Sequence, residues 1–219
     1  MSISAEMVRK LREETGAGMM DCKTALVESS GDAEIARDIL RKKGLAAAAK
    51  KAGRAATDGV IGTYIHPGAK VGVLVEINCE TDFVAKTAEF QALVKDVAMH
   101  IAAASPAAAL YVGKEEVPVT ALDKEKEIYR AQAAAQGKPA NLLEKIAEGK
   151  LKEYYATFCL LEQPFVKDPK ITVGQLVQEK IALIKENIVV RRFARFRVGE
   201  EMQARPADPS EQLLGGTPE

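Results

Sequence analysis

Few residues in this sequence have the types and spacing that catalytic chemistry demands. There are two histidines, His66 and His100. The first falls at a hairpin-like turn and the second inside an amphipathic run. Each reads as a surface or packing residue rather than a general base. Cys22, Cys79 and Cys159 are odd in number and far apart. They form no CxxC pair and no zinc-ligand spacing, which argues against a disulfide framework or a structural metal and fits a reducing cytosol. No phosphate loop, GxGxxG, GxSxG or HExxH string occurs. No Ser/His/Asp set or convergent carboxylate pair stands out, and an enzymatic reading has only Glu80 or Asp82 to build on. The expectation is a protein that works by contact, with no catalytic residue, cofactor or metal.

Two strings have the composition of contact surfaces. In GAGMMDC, residues 16–22, Gly16 and Gly18 permit a tight, low loop. Met19 and Met20 then offer flexible, polarizable surface to a partner. Methionines at such a place also serve as core, and one of the two is expected there. In TDFV, residues 81–84, a polar pair precedes an aromatic residue between a strand and a helix. Thr81 or Asp82 can cap a helical turn, with Phe83 either packed in its own core or offered to a partner.

The elements that position these strings follow from periodicity. Ser4 caps a first helix with Met7, Val8 and Leu11 on one face and Gly16 as its stop. A second helix spans about 21–29, with Cys22, Ala25 and Leu26 inward. Asp32 caps a third, with Ile35, Ala36, Ile39 and Leu40 as its stripe and Gly44 as its end. Residues 45–59 are Ala- and Lys-rich and read as an exposed helical linker, whose Lys50, Lys51 and Arg54 suit an acidic partner or simply a solvated face. The period then changes to two. Residues 59–66, a Pro67-Gly68 turn and residues 70–79 form a β-hairpin, with Val71, Val73, Val75, Ile77 and Cys79 on the buried face. Phe90, Leu93, Val94, Val97, Ala98 and Ile101 mark a strong amphipathic helix closed by Ser105-Pro106. Helices at about 123–136 and 141–155 flank Gly137-Lys138-Pro139. Residues 162–169 read as a loop, and Thr172 caps a helix with Val173, Val177, Ile181 and Ile184 inward. Residues 187–198 form a third strand with Ile188, Val190, Ala194, Phe196 and Val198 on one side. The tail from Gly199 is expected to be disordered.

The fold class is therefore α+β: a three-helix bundle over 1–45, a helical linker over 46–58, a core with a three-stranded antiparallel sheet over 59–198, and a tail over 199–219. The 219 residues support a real core. Lys plus Arg and Asp plus Glu are both 31, so the net charge is zero, which argues against a nucleic-acid coat or a polybasic membrane binder. The first residues lack the apolar run of a signal peptide, and no window approaches the roughly 20 apolar residues of a membrane span. The run Arg191, Arg192, Arg195 and Arg197 lacks the interleaved aromatics of an RNA-binding strand, and pairing with acids on the helices is expected. An RNA- or ribosome-associated binding protein is the alternative function.

The strings EETGAGMMDCKTAL (13–26) and INCETDFVAKTAEF (77–90), with VAMHIAA and QPFV (163–166), resemble elongation factor Ts over about residues 4–198. The resemblance implies a UBA-like bundle and a cytoplasmic exchange factor that binds GDP-bound and nucleotide-free elongation factor Tu. It assigns Thr81, Asp82, Phe83 and Val84 to the partner's magnesium and phosphate site. Met19, Met20, Asp21 and Lys23 become the bundle's docking residues. A weaker contact comprises His66 with Gln163, Pro164, Phe165 and Val166. With one hairpin, one TDFV string and one Arg-rich strand, the chain resembles the short form of the family. That form implies a homodimer, with no membrane and no direct nucleic-acid partner.

Overall fold

The structure is a computed structural model and describes residues 3–103 and 108–200. Ser105-Pro106 and the tail from 201 onward lie outside the described residues. Local capping opens the first and third helices. The Ser4 hydroxyl accepts from the Met7 N–H at 3.2 Å and opens α1 (Ala5–Thr15). Gly16, at φ 67, ends it in the left-handed conformation that glycine adopts without strain. Next come α2 (Met19–Glu28) and α3 (Ala33–Ala49), the latter opened by the Asp32 carboxylate accepting from the Glu34 and Ile35 N–H groups at 2.8 and 3.0 Å. Val8, Leu11, Cys22, Ala25, Leu26 and Ala36 form their shared core. Ile35 is exposed, off the stripe expected for it.

The stop expected at Gly44 does not occur. α3 runs on to Ala49, and Ala48 is buried in the core of the α+β part. A Cβ at Gly44 would stand 3.1 Å from the Ala182 Cβ on a later helix. The glycine lets two helices approach closely, a role that a stop signal and a packing site share in sequence.

The hairpin pairs β1 (Asp58–Ile65) with β2 (Val71–Cys79), antiparallel, with Val60 opposite Ile77. Past β2 lie the single turn α4 (Asp82–Ala85) and α5 (Ala88–Ala103). α5 crosses the inner face of the sheet and buries Phe90, Leu93, Val94, Val97, Ala98 and Ile101. Each large side chain so buried contributes about 1.5–3 kcal/mol. α6 (Val119–Ala135) and α7 (Ala140–Phe158) form an antiparallel arm whose base is a cluster of Val117, Tyr154 and Cys159. The segment expected as a loop carries a short hairpin, β3 (Pro164–Phe165) with β4 (Asp168–Thr172). Thr172 and Gln175 then make a reciprocal capping box for α8 (Val173–Ile184). The chain closes with β5 (Val189–Arg197), antiparallel to β2, in sheet order β1-β2-β5.

β5 departs from the expected alternation. Glu76 pairs with Arg192 while Ile77 pairs with Val190, so Arg191 is the extra residue of a bulge. One inserted residue moves every later side chain to the opposite face. Val190 points into the core, and beyond the bulge Phe193 does so in place of Phe196, which is 62% exposed. The arginine partners also differ from expectation. Arg192 meets Glu76 on the neighbouring strand at 2.6 Å and Arg195 meets Glu200 just past β5 at 3.1 Å, rather than acids on helices.

Candidate functional site

The TDFV string stands where β2 leaves the sheet. Cys79 is fully buried, and its thiol donates to the Thr81 carbonyl at 3.1 Å. Thr81 is extended, at φ −134 and ψ 154, and its hydroxyl accepts from the Val84 N–H at 3.4 Å, capping the single turn α4. Ala85 is buried and Val84 packs against the core, so this turn is rooted on one side. Phe83 lies on the other side and is 79% exposed. A phenylalanine left this far in water is stabilised by about 1.5–3 kcal/mol when a partner covers it. Beside it the Asp82 carboxylate meets Lys86 Nζ at 2.6 Å, and this hydrogen bond holds its pKa below the ordinary carboxylate value. The result is an aromatic finger next to a carboxylate that stays ionised.

The root of the finger has a further anchor that sequence reasoning missed. One Glu186 oxygen accepts from the Glu80 and Thr81 N–H groups, each at 3.1 Å, and the other accepts from the Thr81 hydroxyl at 2.7 Å. More than a hundred residues separate these partners, and no spacing rule marks them.

At the bundle, Met19 and Met20 begin α2 and are 46% and 70% exposed. Neither is core, contrary to the expectation for one of them. The α2 residues that enter the bundle are Cys22, Ala25 and Leu26, and the opening turn precedes that stripe. Asp21 and Lys23 are exposed beside them. Gly16 and Gly18 keep the preceding loop bare, which leaves both thioethers reachable.

The third set is only partly presented to solvent. His66 is exposed at the hairpin end, with Tyr64 Oη 3.4 Å from its Nδ1. Gln163 and Phe165 are buried. Gln163 bonds His100 Nε2 at 2.9 Å through its Oε1 and donates to the Thr157 carbonyl at 2.7 Å. Only Pro164 and Val166 of that string are presented to solvent. Gln163 and Phe165 thus shape the short hairpin from within rather than offering contact.

The reactive groups inside are held quiet. His100 is buried, and desolvation pushes its pKa below the ordinary value. Burial pushes the Cys159 thiol up to about 11 and raises Cys79 as well, so neither is a ready thiolate at neutral pH. Among the described residues no group of three or more His, Cys, Asp or Glu is placed to hold a metal ion, and no helix is long and apolar enough to cross a membrane.

The core thus roots the exposed Phe83 and the bundle presents the exposed pair Met19 and Met20, apolar groups of the kind that a partner surface covers. Comparison with known proteins gives the family. A sequence profile described as Elongation factor TS matches residues 41–200. Proteins named Elongation factor Ts from Geobacter sulfurreducens and Geotalea daltonii are each 62% identical over 208 residues, 95% of this chain and of theirs. One from Carboxydothermus hydrogenoformans is 60% identical over 206 residues, 94% of both chains. The chain belongs to the elongation factor Ts family. Its role is that of a nucleotide exchange factor in translation elongation.

Proposed function

We propose that this chain releases GDP from elongation factor Tu by driving the Thr81–Val84 finger against the partner's magnesium and phosphate site. The observation that carries the reading is the exposure of Phe83, 79%, on a turn otherwise rooted in the core. In such a GTPase the nucleotide is held by backbone amides around its phosphates and by Mg²⁺ that neutralises them. A ring wedged between partner helices tilts that cradle. Burying it supplies about 1.5–3 kcal/mol, or roughly one to two powers of ten in rate. Larger accelerations require loss of the ion's electrostatic hold, and Asp82 is the group that disturbs its shell without binding it.

No bond is made or broken, so the chain is a non-enzymatic regulator. Reciprocity then requires GDP to weaken the factor as much as the factor weakens GDP, and incoming nucleotide ejects it. Met19, Met20, Asp21 and Lys23 on a UBA-like bundle dock on the same partner, with His66, Pro164 and Val166 as secondary contacts. The working unit is a cytoplasmic homodimer with a bundle, a short connection and a core as its parts. Ile61, Ile65, Leu74, Phe196 and Val198 support the pairing, because they leave the outer sheet face apolar and exposed. The RNA-binding alternative has less support, since Arg192 and Arg195 are already paired with glutamates.

The test is release of a fluorescent GDP from elongation factor Tu. The rate should rise with concentration of this chain and then saturate. A release rate indifferent to its concentration would reject the proposal.

A further inference from the structure

We propose that Glu186 is a positioning residue for the finger, holding Phe83 in its projecting pose through a clasp that closes on the turn between α8 and β5. This rests on the reading of Phe83 as the group that acts on the partner. The argument begins with the length of α4. It has four residues, and one helical turn cannot sustain itself. Something outside it must fix its first residues.

The clasp does so in both directions. Lys185 ends α8 in the left-handed region, at φ 68, and turns the chain so that Glu186 and Asn187 face the exit of β2. The Glu186 carboxylate takes two backbone N–H groups and the Thr81 hydroxyl. In return Glu80 Oε1 accepts from the Asn187 N–H at 2.6 Å. These bonds have carboxylate acceptors and belong to the stronger kind. The Thr81 hydroxyl is the pivot. Because it donates to Glu186 at 2.7 Å, its lone pairs remain for the Val84 N–H that it caps. The carboxylate thus orients the cap, and the cap orients the turn that carries Phe83.

The clasp also reaches the stretch leading out of the bundle. Asn187 is buried, and its amide donates to the Arg54 carbonyl at 2.7 Å and, more weakly, to the Ala52 carbonyl at 3.5 Å. Arg54 in turn lies 3.5 Å from Glu80 Oε1. Finger root, α8–β5 turn and post-α3 segment therefore share one set of hydrogen bonds. Of the finger residues Glu186 bonds only Thr81, so its effect on Asp82 and Phe83 must pass through that residue.

The experiment compares wild type, Glu186→Ala, Glu186→Gln, Phe83→Ala and the Phe83→Ala/Glu186→Ala double variant in fluorescent-GDP release, with circular dichroism on each. Glu186→Ala is expected to lower the maximal release rate about tenfold, the scale of a lost charge-assisted bond. The half-saturating concentration should move less than twofold. Glu186→Gln, which keeps one carbonyl acceptor, should recover part of the loss. The double variant should be no slower than Phe83→Ala alone, because a finger without its ring has nothing left to position. A Glu186→Ala rate equal to wild type, with Phe83→Ala slow, would overturn the positioning role while leaving the finger reading intact. So would multiplying losses in the double variant, or loss of fold in both Glu186 variants. A Phe83→Ala rate equal to wild type would instead remove the finger reading itself.

Discussion

The imidazole of His100 has one tautomer open to it. The Val166 N–H donates to Nδ1 at 3.2 Å, so the ring proton sits on Nε2 and is given to Gln163 Oε1 at 2.9 Å. Gln163 is oriented in turn by its own donation to the Thr157 carbonyl. A second ring proton would face the Val166 N–H, and burial already holds the pKa below 6.5. The unfolded chain gains that proton as pH falls through about 6.5, while the folded chain does so only at lower pH. The neutral ring's contribution is therefore complete above 6.5 and is lost as pH falls toward the folded value. The urea midpoint is expected to drop between pH 7 and pH 5, and more steeply for wild type than for His100→Gln. An equal slope in both would assign the pH dependence to other groups. At this scale the sequence is least legible. Phe83, Phe90 and Phe165 are one residue type with opposite fates, two buried and one bare. Gln163 looks like loop surface until His100, 63 positions away, is seen to claim it.

Elements were easier to read where the pattern was long. The i, i+3, i+4 run of α5 places every one of its six expected residues in the core, and the hairpin alternation of β2 holds from Val73 to Cys79. Patterns failed where one residue carries two meanings. Gly44 reads as a stop but serves as a contact with Ala182, and the bulge at Arg191 inverts a strand that its alternation had placed the other way. Gly62 is a comparable contact. A Cβ there would overlap Val94 Cγ1, so α5 lies on the sheet only because β1 has no side chain at that point. Gly62→Ala is expected to destabilise the chain by about 1–3 kcal/mol through overpacking. A shift of the urea midpoint at constant slope would report it. A stability equal to wild type would show that α5 moves away at no cost.

For the whole molecule, the arrangement of faces matters most. The inner face of the sheet is covered by α5, which α8 backs in turn, while the outer one leaves Ile61, Ile65, Leu74, Phe196 and Val198 to solvent. Pairing of two copies through that face would cover it. Sedimentation equilibrium is expected to give twice the chain mass for wild type and the single mass for Phe196→Glu, with the fold retained. A wild-type chain that sediments as a monomer at micromolar concentration would remove the dimer from the account. The family was legible from two strings, 13–26 and 77–90, because each specifies residue types position by position where a periodic pattern specifies only apolar or polar. The path from the Glu186 clasp to the finger was not, because it joins segments that only folding brings together.

The most direct test of the central claim is the maximal rate at which saturating Phe83→Ala releases GDP from elongation factor Tu, read beside its circular dichroism and urea midpoint. Truncating a side chain that is 79% exposed should leave stability within about 0.5 kcal/mol of wild type. The release rate should fall by about tenfold or more. A folded variant that releases GDP as fast as wild type would contradict the account.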